Sequence, residues 1–323
     1  MLGMALRGIV FLVLLLISAA SFAIPSSYAT GFDLTELKAY YPFEEESGDL
    51  INEAANAGSI NSLGTAADGQ LESGVTQGQS GIIGNSYNFP GGSNGQIQLG
   101  TSTSQFNFMH DSTSITSSVN FWQNTISTGL SQAIIQNNVG TTSKVGIDIS
   151  YRGNSVHNAG IFRGVLFTSV VGPGSSGSAL PADGNWHMVT VTYDHTLPTD
   201  NLKFYHDGVF TAATTKDGAA PSTSNAGVAM ELAGYGNLLT YSGNLDEMSI
   251  WSRVLSPTEI TDLYNNGAGL TFIDNSQVIG GEIIPIESTS LILAGSQSFS
   301  WMIPVVLSVL GIGLFVVTRK KEC

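Results

Sequence analysis

The chain has 323 residues, 38 of them Gly, with 11 Lys and Arg against 25 Asp and Glu and only 11% charged side chains. The resulting net charge of −14 excludes a nucleic-acid binder, which needs a basic surface to displace counterions. A single Cys excludes an internal disulfide framework and any Cys-rich metal site, and a hydrophobic content of 42% is too high for charge-driven disorder.

The apolar residues concentrate at the two ends. Arg7 precedes an uninterrupted apolar run, Ile9 to Ile17, followed by small residues through Ala23. This basic, apolar, small-residue order predicts a secretory signal peptide over 1–29, cleaved after Ala23 or Ala29. At the other end, Phe299 to Val317 is uncharged and apolar apart from Ser300 and Ser308, and runs into Arg319-Lys320-Lys321. About 20 apolar residues cross a bilayer, and the basic flank marks the cytoplasmic side. The expectation is a transmembrane helix over 298–318, a tail over 319–323 and a stalk over 271–297. The protein is then a single-pass type I cell-membrane protein with its domain outside the cell. Taking Arg7, Arg319, Lys320, Lys321 and Glu322 out of the count leaves the exported part at −17. Cys323 lies behind the membrane in this reading.

Between the ends, 30–270 reads as short β runs separated by Gly, Asn, Asp and Ser clusters. In chain order the predicted strands are 38–43, 97–99, 114–124, 144–151, 161–171, 186–193, 202–205, 228–233 and 244–251. Apolar and polar positions alternate cleanly in Trp186-His-Met-Val-Thr-Val-Thr-Tyr193, and Asp207-Gly208 predicts a tight hairpin turn. Ser256-Pro257-Thr258-Glu259 is a capping box opening a helix of about ten residues, with Ile260, Leu263 and Tyr264 on one face. Many strands with one short helix make an all-β sandwich of two antiparallel sheets.

Several motifs carry a resemblance. Asp183-Gly-Asn-Trp-His-Met-Val-Thr-Val-Thr-Tyr-Asp194, followed by Leu202-Lys-Phe-Tyr-His-Asp-Gly208, resembles the paired central strands of LamG-like domains. Tyr41-Pro-Phe-Glu-Glu45, Gly84-Asn-Ser-Tyr-Asn-Phe89 and Asn244-Leu-Asp-Glu-Met-Ser-Ile-Trp251 are similar to their opening, second and closing motifs. The resemblance implies a jelly roll of the concanavalin A-like lectin/glucanase superfamily. The C-terminal segment resembles anchors of archaeal surface proteins.

The resemblance also implies a structural Ca²⁺ between the first and last strands, with Asp246 and Glu44 as metal ligands. The alternative is that Asp246 hydrogen-bonds a neighbouring loop. Laminarinase-like hydrolases of this superfamily need two carboxylates in a Glu-x-Asp-x-x-Glu strand, and the sequence has none. Of three His–Asp neighbours, His110-Asp111, Asp194-His195 and His206-Asp207, two flank strands at predicted turns, and no Gly-x-Ser-x-Gly elbow accompanies them. The chain therefore reads as a non-catalytic recognition module for a glycan or a surface protein, touching the lipid bilayer through its last helix. A structural envelope component is the alternative. By residue type and expected exposure, Tyr151, Arg152, Asn154, His157, Tyr235 and Tyr241 are the candidate ligand-binding residues.

Overall fold

In the computed structural model the described residues are 31–92, 95–110, 115–126, 132–137, 145–154, 159–168, 179–215, 228–234 and 241–273. The strands, in chain order, begin with β1 (Leu37–Tyr41), β2 (Gly69–Leu71), β3 (Thr76–Ser80), β4 (Asn85–Pro90) and β5 (Ile97–Leu99). The middle of the chain supplies β6 (Thr116–Asn124), β7 (Gln132–Gln136), β8 (Val145–Asn154), β9 (Ala159–Thr168) and β10 (Ala179–Pro181). The last five are β11 (Trp186–Asp194), β12 (Leu202–His206), β13 (Val209–Thr214), β14 (Met230–Leu232) and β15 (Ser242–Trp251). One α-helix, α1 (Pro257–Tyr264), follows.

They form two antiparallel sheets. The first runs β13-β12-β11-β6-β15-β4-β3, with β1 also paired to β15; the second runs β10-β9-β8-β7-β14-β5-β2. The main apolar cluster draws on both sheets: Tyr41, Phe89, Val119, Phe121 and Ile250 from the first, Ile97, Leu99, Ile135 and Ile149 from the second. A second cluster gathers Leu37, Tyr40, Trp122, Met188, Tyr205 and Trp251 with Ile260 and Leu263 of α1. The first sheet is thus covered on both faces where α1 lies. That explains why β1 and the end of β15 read as nearly continuous apolar runs rather than alternating ones.

Local chemistry agrees with these elements. Glu259 N–H donates to Ser256 Oγ at 3.2 Å and Ser256 N–H donates to Glu259 Oε2 at 2.8 Å, so the capping box is complete. The helix is shorter than the expected ten residues, because Asn265 takes the left-handed conformation at φ 46° and ends it at Tyr264. At the hairpin, Asp207 (φ 49°) and Gly208 (φ 77°) both have the positive φ that a type I′ turn requires.

The domain also extends past its expected end at residue 270. Thr271 and Phe272 are buried, and Phe272 packs edge-on against Tyr40 with ring centroids 4.9 Å apart. The compact unit closes at Ile273, so any stalk starts after it. The expected signal peptide, stalk and membrane span lie outside the described residues. Among the described residues, no helix is long and apolar enough to cross a membrane.

Candidate functional site

β15 changes partner along its length. Ser242–Leu245 pair with β4, whereas Met248–Trp251 pair with β1, leaving Asp246 and Glu247 at the junction. On its other side β15 has an irregularity against β6 between Asp246 and Ser249, where Glu247 and Met248 stand opposite Phe121 alone. Glu247 has φ 47°, a left-handed value uncommon for a non-glycine residue. This bulge is what aims neighbouring carboxylates into the gap between β1 and β4.

Asp246 is fully buried and holds the turn before β4. Its Oδ2 accepts Ile82 N–H at 2.8 Å and Ile83 N–H at 3.3 Å, and its Oδ1 accepts Glu247 N–H at 2.8 Å. Glu44 Oε2 accepts Asn85 N–H at 3.1 Å from the same turn. Glu247 accepts the Tyr40 hydroxyl, which in turn meets Thr271 Oγ1 at 2.8 Å. Two buried carboxylate oxygens, Glu44 Oε1 and Glu247 Oε1, have no hydrogen-bond partner among the described residues. Burial raises the pKa of Asp246, the three N–H donors oppose it, and the Glu44 charge adds to the rise. Glu247 is raised by burial and then by the Asp246 charge; Glu44 is raised by burial.

Gly81 and Gly84 let the turn approach this closely. A Cβ on Gly81 would fall within 3.0 Å of Asn85 O, Ile83 O and Asp246 Oδ2, and one on Gly84 would meet both Glu44 carboxylate oxygens. Main-chain and carboxylate oxygens therefore converge here, the hard donors that Ca²⁺ takes. Among the described residues no three His, Cys, Asp or Glu side chains form a ligand set on their own. A cation held here would need the carbonyls as well. The loop-bonding alternative for Asp246 is what the hydrogen bonds display directly. Cation binding at Glu44 and Asp246 is compatible with that arrangement and remains an expectation.

Four of the six ligand candidates lie among the described residues. Tyr241 was expected at an exposed rim, but it is fully buried, edge-on to Phe89 with centroids 6.3 Å apart. Its hydroxyl donates to Asn244 O at 3.1 Å, so the ring is core and the polar tip is satisfied there. Tyr151, Arg152 and Asn154 lie in β8, in register with Phe162, Ile161 and Ala159 of β9. His157 and Tyr235 lie outside the described residues.

The second sheet carries a polar row that no local pattern announced. Gln98 stands opposite Gln70 on one side and Glu231 on the other, Glu231 opposite Gln136, and Gln136 opposite Asp148. These positions alternate with the core residues Ile97, Leu232, Ile135 and Ile149. Gln98 Nε2 donates to Gly100 O at 2.9 Å and Gln136 Nε2 to Gly234 O at 2.9 Å, which fixes both amides. Gln70 is exposed, and Gln98 and Glu231 are half-buried.

Two strands across the first sheet from β15, level with Leu245, His187 bridges two turns. Its Nδ1 lies 2.9 Å from Asp207 Oδ2 and its Nε2 3.3 Å from Asp183 Oδ1. The Asp207 hydrogen bond, reinforced by both carboxylate charges against some burial, raises the His187 pKa above 6.5. A raised folded-state pKa gives stability that is full below about 6.5. It is lost as pH climbs through the higher folded value. Between pH 6 and pH 9 the melting temperature should fall, and His187→Gln should remove that part of the fall. A wild-type and His187→Gln pair with parallel pH profiles would refute the clamp.

Two face-to-face antiparallel sheets with a polar row across one of them define a lectin-like jelly roll. The pattern of the concanavalin A-like lectin/glucanases superfamily matches residues 90–261, more than half of the chain. The chain belongs to that superfamily. No curated protein matches the chain. Among solved structures, the botulinum neurotoxin serotype G binding domain is similar at 18% identity and TM-score 0.51, over 72% of this chain and 51% of that one. A botulinum neurotoxin type C structure, titled for cell entry dependent on two ganglioside molecules, is similar at 14% identity and TM-score 0.50, over 72% and 51%. The binding domain of botulinum neurotoxin DC, solved with rat synaptotagmin II, is similar at 15% identity and TM-score 0.50, over 72% and 52%. The chain spans about half the length of these structures, and the likeness is one of fold.

Proposed function

We propose that this protein is a non-catalytic recognition module, exported and anchored at the cell surface, that binds a carbohydrate or a protein ligand. The carrying observation is the in-register polar row of Gln70, Gln98 and Glu231 on a lectin-like sheet, backed by the buried Gln136. Amides fixed by their own hydrogen bonds lose little freedom on meeting sugar hydroxyls or a partner's main chain. The superfamily holds both binders and hydrolases; the missing Glu-x-Asp-x-x-Glu strand supports the binder. Neurotoxin binding domains of similar fold, whose titles name gangliosides and synaptotagmin, support a glycan or protein partner. The apolar segments at 1–29 and 298–318 support export and a bilayer contact.

Within this reading Ca²⁺ sits at the β1–β4–β15 junction, held by Glu44 and Asp246 with the Ile83 and Asn85 carbonyls. The ion would supply the positive charge that the buried carboxylates lack, and so stiffen the turn before β4. The test is a glycan array probed with the full chain in detergent, with and without EDTA. Binding to a defined sugar class is expected, weakened at least tenfold by Gln98→Ala with Glu231→Ala. EDTA is expected to lower the melting temperature by several degrees. A folded protein that binds no glycan and no surface protein would refute recognition and favour an envelope component. An unchanged melting temperature in EDTA would remove the ion alone.

A further inference from the structure

Resting on the recognition reading above, we propose that the outer face of the second sheet takes a sugar chain rich in hydrogen-bond donors. That chain is neutral or amine-bearing, and acidic sugars are rejected. The polar positions of β2, β5, β14 and β7 share one face, because they stand in register and alternate with core residues. One residue beyond β2, Glu72 N–H donates to Gln96 O at 2.9 Å and extends the ladder. Glu72 and Gln96 thereby join the face of Gln70 and Gln98. Gln70 and Glu72 are exposed on it, while Gln98 and Glu231 are half-buried.

The direction of the hydrogen bonds decides what such a face can meet. Gln98 and Gln136 donate from Nε2 to main-chain carbonyls, and Gln96 Nε2 donates to Glu72 Oε2 at 2.7 Å. Each of these bonds engages a donor and leaves the amide oxygen, so the carboxamides turn toward acceptance. Ionised carboxylates, as at Glu72 and Glu231, only accept. The strands β2, β5, β14 and β7 contain no Lys or Arg. Arg152 and Arg163 of this sheet belong to β8 and β9, on the far side of β7 from Glu231. Sugar hydroxyls can all turn a hydrogen toward acceptors, and an ammonium offers donors alone. A partner's main chain supplies as many acceptors as donors, and suits this face less well. A uronate or sulfate would bring acceptors to acceptors and set like charge against Glu72 and Glu231.

The experiment sorts glycan-array binding of the full chain in detergent by sugar charge, for wild type and Glu72→Gln/Glu231→Gln. Wild type is expected to bind neutral or amine-bearing sugars, and uronic or sulfated forms of the same chain about tenfold more weakly. The double variant replaces two acceptor-only groups with amides and should close most of that gap. Acidic sugars bound as tightly as neutral ones, or more tightly, overturn the proposal and leave recognition standing. A double variant with an unchanged gap also overturns it, because discrimination then lies elsewhere on the chain. So does a surface-protein ligand found without any bound sugar. A folded wild type with no ligand of either kind refutes the recognition reading itself, and the proposal with it. Circular dichroism checks that each variant is folded. Glu72→Gln alone, at an exposed position, replaces the double variant if that one is not.

Discussion

Replacing Asp246 with alanine is expected to destabilise the domain by on the order of 3 kcal/mol. The substitution strips the acceptor from three main-chain N–H groups at once, those of Ile82, Ile83 and Glu247. Removing a buried charge recovers part of the cost, because its desolvation is no longer required. The net loss still stands, since the freed N–H groups cannot all reach water: Asp246 and Glu247 are buried. Asp246→Asn retains one acceptor oxygen and should fall between the two. Urea unfolding measures both, as a drop in midpoint at constant slope. A wild-type midpoint for Asp246→Ala would mean that the turn before β4 does not depend on this carboxylate.

Trp122→Ala is expected to cost about 3–5 kcal/mol, the range for deleting a large buried aromatic. Trp122 is 1% exposed and stacks on Tyr264 with centroids 5.6 Å apart and planes 15° from parallel. It therefore joins the first sheet to the last turn of α1. The loss should include faster hydrogen exchange in the last turn of α1, where Tyr264 loses its stacking partner, while Ile260 and Leu263 still hold the rest of the helix to the sheet. Trp122→Phe keeps a ring in the same place and should lose about half as much. Exchange rates in the last turn of α1 that stay unchanged in Trp122→Ala would show that this turn is held from elsewhere.

Much of the fold was legible because its signals are local. The alternation in β11, the Asp207-Gly208 turn and the Ser256–Glu259 box each act within a few residues, and each appears where the sequence places it. β3 was not legible, since Thr-Gln-Gly-Gln-Ser has no apolar residue to alternate. β7 escaped for the opposite reason. Its short Ala-Ile-Ile run carries a bulge against β8, which breaks the period of two. At the candidate site, Asp246 and Glu44 could be named from their motifs, but Glu247 could not. Its partner Tyr40 is 207 residues away, and only the pairing of β1 with β15 brings them together. The polar row has the same origin, because it arises from the register of five strands. Tyr241, with Thr240 before it and Ser242-Gly243 after it, reads as a loop residue, whereas it directly precedes β15 and is packed inward.

The pairing of β1 with β15 also governs how this chain can reach its native state. Leu37 lies opposite Trp251, so one of the first strands to emerge must wait for the last before it finds its partner. Loop closure over that distance precedes any reward from the contact, which makes folding slow compared with a sheet of neighbouring hairpins. During synthesis, and during export if the N-terminal segment directs it, β1 therefore remains unpaired with its aromatic residues available to solvent or to a chaperone. The junction at Asp246 and Glu247 forms only when that wait ends. A truncation before β15 would leave both the first strand and the turn at Ile82 without their anchor. The last strand is consequently the step that converts a set of hairpins into a closed domain.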